Sequence, residues 1–270
     1  MLIKRIFTGI ILISLTLAAL FYLPPPWFCV VTGIVSLGAA WEWTHLMELK
    51  SVVARIIYVL MAAVIFVWIS FLPVLKIFAA ASVWWLFAVL LLIAYPRFSA
   101  WWSKRVAARG MMGLFVIAPC WAAVNFVRDQ SNGIYSLLFL FALVFGADTA
   151  AYFAGKIAGK HKLAPLISPG KTWEGCIGAF LFAILLACFV LWHFNIPTPI
   201  WLPAVLLAMV IVAFSIVGDL FESMMKRNAG LKDSGALLPG HGGLLDRIDS
   251  LTAAAPIFVF GGLMLGRYLA

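Results

Sequence analysis

The sequence predicts an all-α polytopic integral membrane protein, and its composition carries that prediction. Hydrophobic residues make up 65% of the 270 positions and charged residues only 11%, whereas a soluble domain has about 45–50% and about 25%. The mean hydropathy is +1.10. These values exclude an ordinary water-soluble protein. The 22 Phe and 12 Trp exclude a disordered chain, because disordered chains are poor in apolar residues.

Nine apolar runs are long enough to cross a bilayer, since a membrane helix needs about 20 such residues. Prolines separate several of them, as at Pro24-Pro25-Pro26 and at Pro96. The predicted transmembrane helices cover residues 6–23, 27–47, 56–73, 77–95, 111–127, 134–155, 172–194, 200–218 and 251–269. We treat the first run as an uncleaved helix, because no convincing cleavage site precedes the prolines.

The basic residues predict the orientation of the chain. With nine spans and a cytoplasmic N-terminus, 16 of the 19 Lys and Arg residues lie on the cytoplasmic side. Cytoplasmic loops carry an excess of these residues, so we expect a multi-pass protein of the inner or plasma membrane with a periplasmic or extracellular C-terminus. Topology and anionic lipid then explain the formal charge of +9, and no nucleic-acid partner is expected.

The acidic residues divide the chain into two regions. Residues 1–110 contain only Glu42 and Glu48 and are predicted to be a hydrophobic scaffold or interface. We expect Trp41-Glu42-Trp43 and Trp101-Trp102 to lie in the aromatic belt at the membrane surface. Residues 111–270 hold the other acids and are predicted to be the catalytic region, with cytoplasmic loops at 156–171 and 219–250 and an active site on that side.

Asp148 lies near the cytoplasmic end of the sixth predicted span, with Tyr152 on the same helix face. Ionisable residues near hydrocarbon are costly and usually serve function or pair with a functional partner. We therefore include Asp148 in the site. The alternative is a carboxylate that only pairs with a neighbouring lysine.

Residues 155–175 place four lysines among glycines and prolines, directly before a predicted helix. Backbone amides at a helix start, together with ammonium groups, can bind phosphate, which makes Lys171 a candidate substrate-binding residue. Gly170-Lys171-Thr172 does not complete a Walker A loop, because Pro165 stands where that motif requires glycine. A basic loop that only sets the topology is the alternative.

A third group of polar residues spans positions 219–249. Four of them can share one helix face by their spacing, namely Asp219, Glu222, Ser223 and Lys226. Asp246 and Asp249 are three residues apart and can share another face. With Asp219 or Asp148 opposite, they would supply oxygen ligands for Mg²⁺, which commonly binds through one or two carboxylates plus substrate phosphates. Ion pairing with lysines and arginines is the alternative.

The same segment holds further cations and a glycine-rich turn. Arg227 and Lys232 are candidate phosphate ligands, while Gly242 and Gly243 allow a close approach of backbone to a ligand. His241 between glycines can be a base, a hydrogen-bond donor to phosphate, or a turn residue. Together these parts describe a cytoplasm-facing site for phosphoryl or nucleotidyl transfer on a lipid.

Two stretches carry a family resemblance. The first consists of Ser223-Met224-Met225-Lys226-Arg227, Lys232-Asp233-Ser234-Gly235, Leu238-Pro239-Gly240-His241-Gly242-Gly243-Leu244 and Asp246-Arg247-Ile248-Asp249. It resembles the signature of the phosphatidate cytidylyltransferases (CDP-diacylglycerol synthases). Residues 148–175 resemble the bacterial members of that family, so the resemblance covers the C-terminal half closely.

The resemblance implies that the protein converts CTP and phosphatidate to CDP-diacylglycerol and diphosphate in phospholipid biosynthesis. It implies a requirement for Mg²⁺, with a second cation such as K⁺ allowed. Asp246 and Asp249, helped by Asp219, would hold metal. Further residues would contact the triphosphate, the lipid phosphate or the bound metal. They are Lys171, Lys226, Arg227, Lys232, Ser223, Asp148, His241, Gly242 and Gly243.

Two other functions stay open at this point. One is a CTP-dependent cytidylyltransferase acting on a different phospholipid acceptor. The other is a transporter or channel, which would place acids at matched positions in two halves of the chain, whereas the acids here crowd into one half. A homodimer is compatible with the sequence.

Overall fold

The computed structural model describes the backbone of residues 2–237 and 242–269 and the side chains of residues 8–237 and 242–266. It confirms the predicted helical, polytopic architecture. The helices are α1 (Leu2–Tyr22), α2 (Pro25–Leu46), α3 (Val52–Ile69), α4 (Val74–Ala94), α5 (Ser99–Ser103), α6 (Val106–Arg128), α7 (Gly133–Ala158), α8 (Trp173–His193), α9 (Trp201–Asn228) and α10 (Leu245–Leu269). A short 3₁₀ turn, Thr198–Ile200, leads into α9.

Seven of the helices in the described part of the chain are long and apolar enough to cross a membrane, namely α3, α4, α6, α7, α8, α9 and α10. Each of the nine predicted runs overlaps a long helix, and the two remaining runs coincide with α1 and α2. Nine crossings and the orientation of the termini stay predictions.

Local chemistry explains several helix ends. Pro25 and Pro26 occupy the first turn of α2, where a missing N–H costs nothing. The Ser51 hydroxyl accepts the Ala54 N–H at the start of α3, which satisfies one of the otherwise unpaired donors of the first turn.

Helices α9 and α10 extend into the polar segment where loop structure was expected. Helix α9 continues past residue 218 to Asn228, and α10 begins at Leu245 rather than at 251. Since their polar residues face other protein groups rather than lipid, falling hydropathy does not end these helices. The predicted 219–250 loop is consequently helical at both ends, and residues 229–244 connect them.

A small antiparallel hairpin interrupts the otherwise helical chain between α7 and α8. Strand β1 (Lys162–Ala164) pairs with β2 (Ser168–Thr172), with Lys162 opposite Thr172 and Ala164 opposite Ser168. Thr172 ends the hairpin and caps α8, since its hydroxyl accepts the Gly175 N–H at 3.1 Å. The predicted basic loop is thus an ordered hairpin attached to a helix start.

The core contains two tryptophan side chains that we had expected at the membrane surface. Trp43 is fully buried and donates its indole N–H to the Arg109 carbonyl at 2.9 Å, and Trp102 is only 2% exposed. The expectation of an aromatic belt is therefore wrong for these two residues, because their rings pack inside the helix bundle. Trp101 is 64% exposed, in keeping with that expectation.

Candidate active site

The close approach of α9 and α10 creates the site. At Gly218 an added Cβ would lie 2.5 Å from the Asp249 carbonyl oxygen, so glycine lets the two helices touch. This contact brings the polar face of α9, with Asp219, Glu222 and Lys226, against the acidic first turns of α10. The predicted helix faces do meet.

Lys226 is the cation at the centre of this contact. Its Nζ lies 2.9 Å from Glu222 Oε2 and 2.6 Å from Asp246 Oδ1. The three side chains are 10%, 3% and 8% exposed. A buried ammonium group is stable only when it is paired and hydrogen-bonded, and here two carboxylates fulfil that need.

The second oxygen of Asp246 is held by the backbone of the connecting segment. Asp246 Oδ2 accepts the Ser234 N–H at 3.0 Å and the Gly243 N–H at 2.8 Å. Gly242 has a φ of +81°, a left-handed conformation that glycine adopts without strain. Ser234 and Gly243, one near each end of the connecting segment, therefore both bind the Asp246 carboxylate.

A second pair forms between the hairpin and α9. Lys171, at the end of β2, places its Nζ 2.7 Å from Asp219 Oδ2, and the Ser223 hydroxyl donates to Asp219 Oδ1 at 3.3 Å. The Lys171 and Asp219 side chains are 23% and 27% exposed. The hairpin therefore delivers a lysine to the edge of the buried cluster, where it stays accessible.

Asp148 and Asp249 complete the acidic cluster. Asp148 Oδ2 accepts the Ser250 hydroxyl at 3.0 Å, and its carboxyl group interacts electrostatically with Lys171 and Asp219. The Asp249 carboxyl group is within hydrogen-bonding reach of Glu222 and also interacts with Asp219. The structure thus brings together residues from α7, the β1–β2 hairpin, α9 and α10.

The charge balance of this cluster favours a bound cation. Five carboxyl groups, from Asp148, Asp219, Glu222, Asp246 and Asp249, face the two ammonium groups of Lys171 and Lys226. Oxygen ligands are those that Mg²⁺ prefers. The donor set therefore fits a divalent cation.

The cluster is not arranged as a preformed metal site. Over residues 2–237 and 242–269, no three His, Cys, Asp or Glu side chains converge so that they could hold an ion. Asp219 and Asp246 are instead paired with lysines. The metal-ligand roles of Asp219, Asp246 and Asp249 accordingly stay a prediction.

Other predicted site residues lie outside the buried cluster. Arg227 donates from Nε to the Ile167 carbonyl and from Nη1 to the Leu231 carbonyl, both at 3.3 Å, so it ties the hairpin to the end of α9. Lys232 is exposed on the connecting segment. His241 lies outside the described residues, together with residues 238–240.

Sequence reasoning missed two acidic residues that contact the site. Glu222 was placed on the right helix face but was given no role. Glu42, near the C-terminal end of α2, is fully buried and contacts the segment that binds Asp246. A signal was present, since an acid within an apolar helix usually marks a functional or paired position.

A shallow cavity of about 520 Å³, mostly open at the surface, lies beside the same segment. Its walls include His45, Arg55, Asp233 and Ser234. The His45 ring Nδ1 is 3.2 Å from the Ser234 carbonyl oxygen, so Ser234 connects the cavity wall to Asp246. The volume is typical of small-molecule sites.

Comparison with known proteins establishes the family. The sequence profile of the cytidylyltransferase family matches residues 3–264. The chain belongs to the cytidylyltransferase family. A phosphatidate cytidylyltransferase of Haemophilus influenzae is 39% identical to it over 283 residues, which cover 96% of this chain and 98% of the relative. One from Pseudomonas aeruginosa is 42% identical, with 96% of each chain covered.

Other phosphatidate cytidylyltransferases match only about half of the chain. The phosphatidate cytidylyltransferase of Staphylococcus epidermidis is 45% identical over 132 residues, which cover 49% of this chain and 50% of the relative. Membership of this family agrees with the resemblance seen in residues 148–175 and 223–249. It does not favour a transporter or channel.

Proposed function

We propose that this protein is a phosphatidate cytidylyltransferase, which forms CDP-diacylglycerol and diphosphate from CTP and phosphatidate. The observation that carries the proposal is the similarity to two proteins of that name along 96% of the chain. The buried cluster of carboxylates and lysines on α9, α10 and the hairpin supports it, because such a cluster suits chemistry between two anionic phosphates.

In the proposed reaction, a phosphate oxygen of phosphatidate forms a bond to the α-phosphorus of CTP. The bond from that phosphorus to the bridging oxygen breaks, and the electron pair leaves with diphosphate. A phosphate dianion is already nucleophilic, so the protein need not supply a strong base. Its task is to position two anions and to balance their charge.

The lysines would balance that charge. Lys171 is partly exposed at the hairpin, so it can contact an incoming phosphate while Asp219 holds its side chain in place. Lys226 is more deeply buried between Glu222 and Asp246, where its charge offsets the carboxylates and fixes Asp246. Ser223 keeps the Asp219 carboxylate oriented towards the hairpin.

Asp219, Asp246 and Asp249 would hold Mg²⁺, with Asp148 and Glu222 close by. A bound divalent cation supplies charge neutralisation for the phosphates in the transition state. The excess of carboxyl over ammonium groups in the cluster supports this assignment. The cavity beside Ser234 offers room for a nucleotide next to the segment that binds Asp246.

The site would face the cytoplasm in a cell membrane crossed nine times. The distribution of the basic residues supports this placement. The inner ends of α7, α9 and α10 then lie where CTP is available, and phosphatidate reaches them from the inner leaflet.

The product identifies the function. Purified protein in detergent micelles with CTP, Mg²⁺ and phosphatidate should yield CDP-diacylglycerol and one diphosphate per turnover, measured by mass spectrometry and a coupled assay. Parallel micelles with other phospholipid acceptors identify a different acceptor if one exists. Product from another lipid but none from phosphatidate would contradict the proposal.

A further inference from the structure

Glu42 lies far from the acidic cluster in sequence but contacts the segment that builds it. It lies on α2, and its Oε2 accepts the Ser234 hydroxyl at 3.1 Å and the Leu245 N–H at 2.8 Å. Leu245 is the first residue of α10. The same carboxylate oxygen therefore joins the connecting segment to the start of the helix that carries Asp246.

The surroundings of Glu42 are built to receive a carboxylate. An added Cβ at Gly243 would lie 2.6 Å from Glu42 Oε2, and one at Gly235 would overlap Oε1. Only glycine at these two positions lets the backbone pack directly against the carboxylate. One helical turn further along α2, the His45 ring contacts the Ser234 carbonyl at 3.2 Å.

Hydrogen bonds and a helix terminus hold one oxygen of the Glu42 carboxyl group, Oε2, whereas Oε1 is buried without a hydrogen-bond partner in the described part of the chain. The side chain is fully buried, and none of the ion pairs in the described part of the chain involves it. A carboxylate at the N-terminus of α10 is favoured by the free N–H groups and the helix dipole there. These contacts therefore hold Glu42 in one place through Oε2, while Oε1 packs beside Gly235.

The groups that Glu42 holds are next to those that hold Asp246. Ser234 donates its hydroxyl to Glu42 and its backbone N–H to Asp246 Oδ2. Gly243 packs on Glu42 and donates its N–H to the same Asp246 oxygen. Displacement of Glu42 would therefore move both donors that orient the Asp246 carboxylate.

We propose that Glu42 is a positioning residue for the transfer reaction, which orients Asp246 through Ser234 and Gly243. The inference rests on the proposed function, since it assigns Asp246 to the reaction. It also gives the region 1–110 a direct part in the site, through α2.

Three variants test the inference. Glu42→Ala removes the acceptor, Glu42→Gln keeps an oxygen of the same reach, and Ser234→Ala removes one donor while it keeps the N–H to Asp246. Asp129→Asn is the control, because Asp129 is an exposed acid that directly follows the C-terminal end of α6. Each protein is assayed for CDP-diacylglycerol formation, thermal stability in detergent, and hydrogen exchange of the peptides that cover residues 229–250.

We expect Glu42→Ala to lower kcat by about 100-fold or more, and Glu42→Gln to stay within about tenfold of the parent protein, because hydrogen bonds to charged groups are worth one to two powers of ten in rate. The KM for phosphatidate should stay unchanged. Ser234→Ala should lower kcat in the parent protein but add little to Glu42→Ala, because both act through the same contact. Exchange should rise within residues 229–250 in Glu42→Ala.

The failures are distinguishable. If the parent protein makes no CDP-diacylglycerol, the proposed function fails, and the exchange data still report whether Glu42 holds the segment. If the parent protein is active and folded Glu42→Ala matches it, the inference is wrong. If Glu42→Ala does not fold, the other two variants decide. An unchanged kcat in Ser234→Ala would overturn the inference, and so would a kcat in Glu42→Gln that falls only in proportion to the fraction of folded protein.

Discussion

At the scale of single residues, the site depends on two lysines that each pair with an aspartate. Lys226 is buried with Asp246 and Glu222, whereas Lys171 and Asp219 stay partly exposed. The loss of one partner has a different effect on stability in a buried pair and in an exposed pair. Removal of one partner from a buried pair leaves an uncompensated charge, while an exposed pair contributes little to stability. We therefore expect Lys226 to matter for folding and reaction together, and Lys171 mainly for the reaction.

Asp246→Asn should abolish turnover while the protein remains folded, because the Lys226 ammonium group keeps its pairing with Glu222. Asparagine keeps an oxygen for the Ser234 and Gly243 N–H groups but removes the charge that faces Lys226 and that would hold metal. We expect a fall in kcat of about 100-fold or more, as for loss of a central electrostatic group. Asp249→Asn should behave in the same way. Near-normal turnover by either variant, with normal membrane insertion, would refute its metal-binding role.

Lys171→Ala should impair the use of CTP or phosphatidate without loss of stability. The variant removes a partly exposed ammonium group beside Asp219, and we expect kcat/KM to fall by about tenfold or more. Lys104→Ala is the matched control, since Lys104 is an exposed lysine on the same predicted side of the membrane. Equal kinetics of the two variants would mean that the hairpin lysine serves only topology.

At the scale of secondary-structure elements, the α9–α10 contact aligns the acidic residues of both helices. Gly218 packs against the Asp249 backbone. The first turn of α10 is also hydrogen-bonded to Glu42 and to the backbone of Ser234. The hairpin adds Lys171 from a third side, anchored by the Thr172 cap and by Arg227. The site therefore depends on how elements meet rather than on any single motif.

Gly218→Ala should separate α9 from α10. The added methyl group would contact the Asp249 carbonyl oxygen at 2.5 Å, and overpacking of this kind costs about 1–3 kcal/mol. We expect lower thermal stability in detergent together with reduced turnover. Gly262→Ala in α10 meets nothing within 4 Å and should match the parent protein. A tolerated Gly218→Ala would show that the close helix contact is not required.

Much of the secondary structure was predictable because long apolar runs are a strong sequence signal of membrane helices. Every predicted run overlaps a helix, although α9 and α10 continue into polar sequence that hydropathy alone could not assign. Residues near each other along the motif, such as Asp219 and Ser223, were also predictable from helical spacing. In contrast, the Glu42 contacts join residues 192 and 203 positions apart, and no local pattern specifies such partners.

At the scale of the whole molecule, charge distribution and site position point to the same orientation. The polar ends of α7, α9 and α10 lie together, and the predicted nine-span topology assigns most of the lysines and arginines to the same side. A site there combines access to a water-soluble nucleotide with access to lipid.

The orientation can be tested with reporters fused to each terminus. We expect a fluorescent protein to be active at the N-terminus, and alkaline phosphatase to be active at the C-terminus, because nine crossings place the termini on opposite sides. A fusion within the 229–244 segment should report the cytoplasm. Both termini on one side would contradict nine crossings, and a segment outside the cytoplasm would contradict the placement of the site.

The central claim is that this carboxylate and lysine cluster transfers a cytidylyl group between two anions with the help of a divalent cation. Diphosphate release from CTP by metal-stripped protein, titrated with Mg²⁺ in the presence and absence of phosphatidate, tests it most directly. We expect release only when both are present, with saturation in Mg²⁺. Full-rate release in the presence of a chelator, or no release with both present, would contradict it.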